Sequence, residues 1–377
     1  MRRCRSPGAS WRLLLLALTL SAPARAAEEF GFAPPLPVAY ADPLTELAAW
    51  ATSRPVPDEP PEISRGYRFI GPALAEVAQA VADRPGVVRV EAFGRSATDE
   101  PLWAFHVTDP ATPVEEEVLV FAGIHALEWI SSEVALTLLH ELIARPPRGT
   151  RVTVIPLLNP DGRARVEADL IAGITDRYHR SNGAMVDLNR DYRHEREARA
   201  VWRAIIPGYY STSPEPLSQP ESAGLDALLS RHDYARAASL HAFGGYLYHP
   251  YAGAWRRPER WRDYVRAGRA MEKAMGANAY RTRQLARWGF FFRAHGTEVD
   301  HLHAEHGIDA WLIELTRTGL RPLRLGRDRK TPFRWYNPVD PSPHIARATP
   351  ALRELVRGSM HPAGTTGPRA SSTAEPR

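Results

Sequence analysis

Two histidine–glutamate pairs in this chain share one spacing, His125-x-x-Glu128 and His295-x-x-Glu298. That spacing suits half a metal site, and it equally suits a helix-start histidine beside a surface carboxylate. What precedes each pair separates them. His125 stands two residues past "VLVFAG" (118–123), a continuous apolar run of the kind a buried strand has. His295 and Glu298 sit in "FRAHGTEVD", with a glycine and no buried strand before them, and read as a loop feature. His301, His303 and His306 read as a polar helix face rather than a metal cluster.

Other apolar runs also end in polar residues. His241 ends "ARAASLH", Glu314 lies at the end of "AWLIEL", and Asn159 and Asp161 follow "RVTVIPLL". An ionisable group at a buried strand end needs a partner, and in α/β sheets ligands bind beyond the carboxyl ends of strands. Two imidazoles and a carboxylate are a zinc donor set that leaves a fourth position for water. The ion lowers the pKa of that water toward ~7. A second carboxylate is then needed as general base. Glu314 is the candidate, and a structural ion pair with Arg317 is the alternative for it. In "DRYHRSNGAMVDLNRDY" (176–192), Arg180, Asn189 and Arg190 offer forked donors and an amide suited to a carboxylate. An arginine near the metal would polarise a carbonyl. A basic surface loop is the competing reading of that segment.

The elements that must position these residues alternate along the chain. "GPALAEVAQAVAD" (71–83) has helical periodicity, and "VVRVEAF" (87–93) and "LWAFHV" (102–107) read as strands. A helix follows His125 from about Trp129 to Arg145, then the strand "RVTVIPLL" (151–158) and the turn Asn159-Pro160-Asp161-Gly162. Buried strands between helices predict an α/β sheet covered on both faces.

The ends read differently. Arg2, Arg3, Arg5 and Arg12, the apolar Leu13–Leu20 and Ala24-Arg25-Ala26 make residues 1–27 a secretory signal, too short to span a membrane. A secreted or periplasmic protein follows, with no stable membrane insertion after cleavage. The net charge of +5 belongs to that segment, since removing its five arginines leaves 43 basic against 43 acidic side chains. The basic pI therefore does not argue for a nucleic-acid partner. The single cysteine, Cys4, is also in the signal, so the mature chain has no disulfide. Residues 28–62 are a Pro-rich extension or short pro-segment with one helix near Leu44–Trp50. Residues 63–357 form the catalytic domain, and 358–377 read as a disordered tail.

From Tyr67 to Arg321 the chain resembles the zinc carboxypeptidases of the carboxypeptidase A/B type. "GIHALEWISS", "LLNPDG", "RYHRSN…VDLNR", "SLHAFGGYLYHPY" and "LIELTRTG" are similar to that family's landmarks, in order. The resemblance implies a mixed, mainly eight-stranded twisted sheet with helices on both faces. It implies one Zn2+ on His125, Glu128 and His241, with Glu314 as general base and Arg180 polarising the scissile carbonyl. Asn189 and Arg190 would hold the terminal carboxylate of a peptide substrate, and Val299 would lie at the base of the side-chain pocket. An apolar Val299 favours a neutral or apolar C-terminal residue, although Glu298 and Asp300 flank it. The chain is expected to act as a monomer. Three positions depart from the family pattern. Phe292 stands where a capping tyrosine is usual, which removes a hydrogen bond of about 1 kcal/mol. Asp191-Tyr192 replaces an Asn and an aromatic, and Gln219-Pro220-Glu221 replaces an acidic-Pro-Glu segment. An amidase acting on cell-wall peptides and an inactive peptide-binding relative are the alternative functions.

Overall fold

The computed structural model describes residues 42–196, 215–288, 293–317 and 330–358. The signal segment, the start of the Pro-rich extension, Phe292 and the tail after Gly358 lie outside the described residues. Eight strands form one sheet: β1 (Val88–Arg95), β2 (Pro101–Val107), β3 (Glu116–Ala122), β4 (Thr150–Ile155), β5 (Tyr234–Ala242), β6 (Tyr246–His249), β7 (Arg281–Gln284) and β8 (Asp309–Leu315). Their order is β1-β2-β4-β3-β5-β8-β6-β7. The four central strands β4, β3, β5 and β8 pair in parallel, and β2 and β6 join them antiparallel. The mixed eight-stranded sheet expected from the sequence is therefore present.

Nine α-helices accompany the sheet among the described residues: α1 (Pro43–Thr52), α2 (Ile70–Ala82), α3 (Trp129–Ala144), α4 (Pro160–Ile171), α5 (Pro220–Arg231), α6 (Trp261–Met275), α7 (Glu298–Ala304), α8 (Pro332–Tyr336) and α9 (Ser342–Arg357). Strand residues alternate between two apolar clusters, as a period of two requires. Val118, Val120, Leu240 and Ile313 pack on one face with Leu74 of α2, Leu138 of α3, Met271 of α6 and Leu352 of α9. Leu119, Phe121, Ala237 and Leu312 pack on the other with Leu225 of α5 and Leu302 of α7. Burial on both faces makes β3 a nearly continuous apolar run, while β4 and β5 bury Thr153, Arg236 and Ser239 among their apolar residues.

The short β6 and β7 escaped the sequence reading. β7 is the edge strand "RTRQ", with Arg281 and Arg283 exposed and no apolar face to show periodicity. The N-terminal helix α1 buries Leu47 and Ala51, and Trp50 and Arg54 both donate to Glu100, at 2.6 Å and 2.8 Å.

Candidate metal centre

His125 reaches its place through a tight loop after β3. Gly123 has φ +67°, and a Cβ there would lie 2.8 Å from Leu157 Cδ1, so a larger residue would both strain and clash. Asn159 then fixes the loop. Its Nδ2 donates to the carbonyls of Ile124 (3.1 Å) and Ser181 (3.2 Å), while its Oδ1 accepts from Gly162 N–H at the start of α4. Asp161 accepts from Ser96 Oγ and from the Thr98 hydroxyl and N–H. Asn159 and Asp161 thus belong to the scaffold, tying loops together, rather than to the site that their strand-end position suggested.

Glu128 occupies the residue before α3, yet its side chain does not cap that helix. Asn337 caps it instead: Oδ1 accepts from Ile130 N–H at 3.0 Å and Nδ2 donates to Leu127 O at 2.7 Å. The Glu128 carboxylate is thereby left to face His125 and the end of β5, where Oε2 accepts from Ala242 N–H at 3.0 Å. His241 arrives on β5, and the parallel register sets it beside Glu314 of β8.

Three donor groups converge there. His125 Nδ1 lies 2.8 Å from Glu128 Oε1 and 3.2 Å from His241 Nδ1, and His241 Nδ1 lies 3.3 Å from Glu128 Oε2. All three residues are at most 3 % exposed. The remote ring nitrogens are both taken by acids. His125 Nε2 faces Asp187 Oδ1 at 3.2 Å, and His241 Nε2 faces Glu298 Oε1 at 2.8 Å. A carboxylate on Nε2 fixes the proton there and turns the Nδ1 lone pair inward. Two such lone pairs and a carboxylate facing each other in a buried space repel unless positive charge lies between them. A tetrahedral ion with bonds of ~2.1 Å would set its donors about 3.4 Å apart. The two longer separations match that spacing, so the residues fit zinc.

The surrounding charges are arranged around this cluster. Arg180 donates from Nε to Asp187 Oδ2 at 2.9 Å, and its Nη1 lies 3.4 Å from Glu128 Oε1. Burial works against charge on Asp187, but Arg180 and then Arg190 hold its carboxyl below the usual range. Asn189 Oδ1 accepts from Glu298 N–H at 3.1 Å, and Arg190 donates to the Asn189 carbonyl. Burial, and next the charge of Glu128, push the Glu314 carboxyl up to about 8. Its Oε2 is buried and has no hydrogen-bond partner among the described residues. The Arg317 pairing considered for Glu314 is not what the fold uses, since Arg317 donates to Ala279 O at 2.6 Å.

The structure thus brings His125, Glu128, His241, Glu314 and Arg180 together, with Asn189 and Arg190 on the adjoining turn. Val299 is buried in the second apolar cluster at the start of α7. Glu298, read from sequence as part of a loop, instead begins α7 and orients His241. Asp187 was missed altogether. Its place two residues before Asn189 was the available signal. The departures also find partners. Asp191 accepts from Gln219 N–H and from the hydroxyls of Ser218 and Ser222, and Glu221 accepts from Asn182 Nδ2 at 3.0 Å.

A zinc carboxypeptidase of Saccharothrix mutabilis subsp. capreolus is 28% identical over 146 residues, covering 34% of this chain and 33% of that protein. The inactive metallocarboxypeptidase ECM14 of Saccharomyces cerevisiae is 33% identical over 92 residues, 21% of each chain. The chain thus spans no more than about a third of either relative's length. Bovine thrombin-activatable fibrinolysis inhibitor, solved with a tick carboxypeptidase inhibitor, superposes with a TM-score of 0.65 at 18% identity, over 77% of this chain and 96% of that one. The family model described as zinc carboxypeptidase matches residues 74–326, which covers every residue of the cluster, and the chain therefore belongs to the zinc carboxypeptidase family.

Proposed function

We propose that this chain is an exported zinc carboxypeptidase that hydrolyses the C-terminal peptide bond of peptides. The observation that carries the reading is the buried convergence of His125, Glu128 and His241 beside Glu314. When bound, zinc supplies a Lewis acid and a water of pKa near ~7, and it offsets the Glu128 charge that raises Glu314. Glu314 takes the proton of the attacking water on Oε2, which has no partner among the described residues, and returns it to the leaving nitrogen. Arg180, held by Asp187 against Glu128, donates to the scissile carbonyl oxygen as negative charge develops there. Asn189 has its Oδ1 occupied by Glu298 N–H, which leaves the amide NH2 to donate to the substrate's terminal carboxylate. Arg190 supplies the countercharge. Asp187 and Glu298 keep the two imidazoles in the tautomer that ligation needs. Export rests on the signal-like residues 1–27. No helix among the described residues is long and apolar enough to cross a membrane.

Glu298 and Asp300 are both committed. Glu298 holds His241, and Asp300 accepts from Ala252 N–H and Gly253 N–H at 2.7 Å and 2.9 Å. With Glu298 Oε1 turned to His241, Asp300 held by backbone N–H groups and Val299 apolar, a neutral or apolar C-terminal side chain is favoured over a basic one.

Zinc-loaded protein is expected to cleave N-blocked dipeptides ending in Phe with kcat/KM roughly tenfold or more above those ending in Arg. It should leave C-terminally amidated peptides intact. Cleavage of a murein tripeptide alone would assign the chain to cell-wall amidases. Zinc and peptide binding with no turnover of any substrate would make it a binding protein.

Glu298→Gln is expected to weaken zinc binding by ~10–100-fold, the usual cost of losing an outer partner of a ligating histidine. Chelator competition measures this, and unchanged affinity would remove Glu298 from the metal centre.

A further inference from the structure

A second convergence of metal-ligating side chains lies away from the catalytic cluster. Asp226 on α5, His301 on α7 and His306 in the turn after α7 bring one ligand atom each within 4.8 Å of one another. His301 Nε2 lies 2.7 Å and His306 Nε2 2.8 Å from the same oxygen, Asp226 Oδ1. The sequence spacing of the two histidines would not place them together on a straight helix. They meet because α7 stops at Ala304, and the chain then reverses at Gly307, which has φ +66°. The two rings then stand 5.1 Å apart and nearly perpendicular, and Tyr192 packs 5.3 Å from His301.

The chemistry of this cluster differs from that of the other histidine group away from the catalytic centre. At Glu91, His106 and His232, the acid is already paired with Arg89 (2.7 Å) and Arg231 (2.8 Å), whose charges oppose a cation. Asp226 has no lysine or arginine partner among the described residues; its ion-pair partners there are the two histidines. Each Nε2 shares its proton with Asp226 Oδ1, and an ion seated between the three groups would displace those protons. His301 is 1% exposed, while His306 and Asp226 are 15% and 25% exposed, so an ion can enter from solvent and keep water on its open side. Two imidazoles and one carboxylate select a borderline transition ion over calcium or magnesium, which prefer oxygen donors.

We propose that Asp226, His301 and His306 bind a second divalent transition ion of the zinc class, which clamps α7 to α5. Because α7 also carries Glu298, the clamp steadies the residue that orients His241. The binding itself stands whether or not the peptidase reading holds.

Metal content distinguishes the cases. Full-length protein equilibrated with excess Zn2+, freed of unbound ion and analysed by elemental mass spectrometry should hold two ions per chain. His306→Gln and Asp226→Asn should each hold one, and Glu128→Ala should also hold one. The Zn2+-dependent rise in Tm that remains in Glu128→Ala should vanish in Glu128→Ala combined with His306→Gln. A single ion in wild type that survives in both His306→Gln and Asp226→Asn overturns the proposal. A single ion lost in His306→Gln but kept in Glu128→Ala sustains it and sinks the catalytic assignment instead.

Discussion

Glu314→Gln is expected to lower kcat by roughly a thousandfold or more while zinc content stays at the wild-type level. General acid–base groups contribute ~10²–10⁴ to rate, and on the proposed mechanism this one serves twice, once on the water and once on the leaving nitrogen. The substitution keeps shape and volume at a position set beside His241 by the β5–β8 register. What changes is the loss of basicity on an oxygen that has no other partner among the described residues. The side effect on stability has a definite sign. Burial raises the folded pKa of Glu314 above its unfolded value, to about 8, so in the metal-free protein its ionisation destabilises the fold as pH rises above the ordinary carboxylate range. Glutamine carries no such cost, so the metal-free variant should melt at the same temperature as wild type or higher near neutral pH. Steady-state kinetics and calorimetry on one preparation test both statements. A variant with near-normal kcat would remove Glu314 from the chemistry.

Glu128→Ala should be the more damaging change. It removes a proposed ligand, the acceptor for Ala242 N–H and the charge facing Arg180, all in a buried space. His125 and His241 are then left with Nδ1 atoms 3.2 Å apart and no carboxylate beside them. Zinc affinity is expected to fall well beyond the ~10–100-fold that an outer partner is worth, and peptidase activity should drop to background. Metal analysis after dialysis, read together with rate, checks this. Full catalytic zinc with full activity would mean that the ligand set is misassigned.

How far this could be read in advance depended on where each residue sits. His125, His241 and Glu314 are each next to a strand buried on both faces; an apolar run announces His125 and Glu314, and an alanine-rich segment that also buries Arg236 and Ser239 announces His241. The α/β sheet was legible from the buried runs at its centre, whereas the count of eight strands came only with the family resemblance. Asp187 and Glu298 gave no such signal. Both act through a histidine from another segment, and nothing in local sequence shows which distant ring an acid will meet. Asn159 and Asp161 had the right position but a structural use. That distinction depends on partners such as Ile124, Ser181 and Ser96, which are fixed only by the fold. His301 and His306 read as a helix face because the reversal at Gly307 was not anticipated.

The placement of the cluster across β3, β5 and β8 also sets when the site can come into being. His125 and His241 are 116 positions apart in the chain, and Glu314 comes later still. Long-range parallel pairing forms slowly, because chain entropy must be lost before contacts are gained. A chain synthesised from its N-terminus holds both histidines before the strand that carries Glu314 exists. On the proposed mechanism, an unfinished or incompletely folded chain is without its base and cannot act on neighbouring polypeptides. Hydrolytic competence is thus deferred until one of the last strands to be made has joined the sheet.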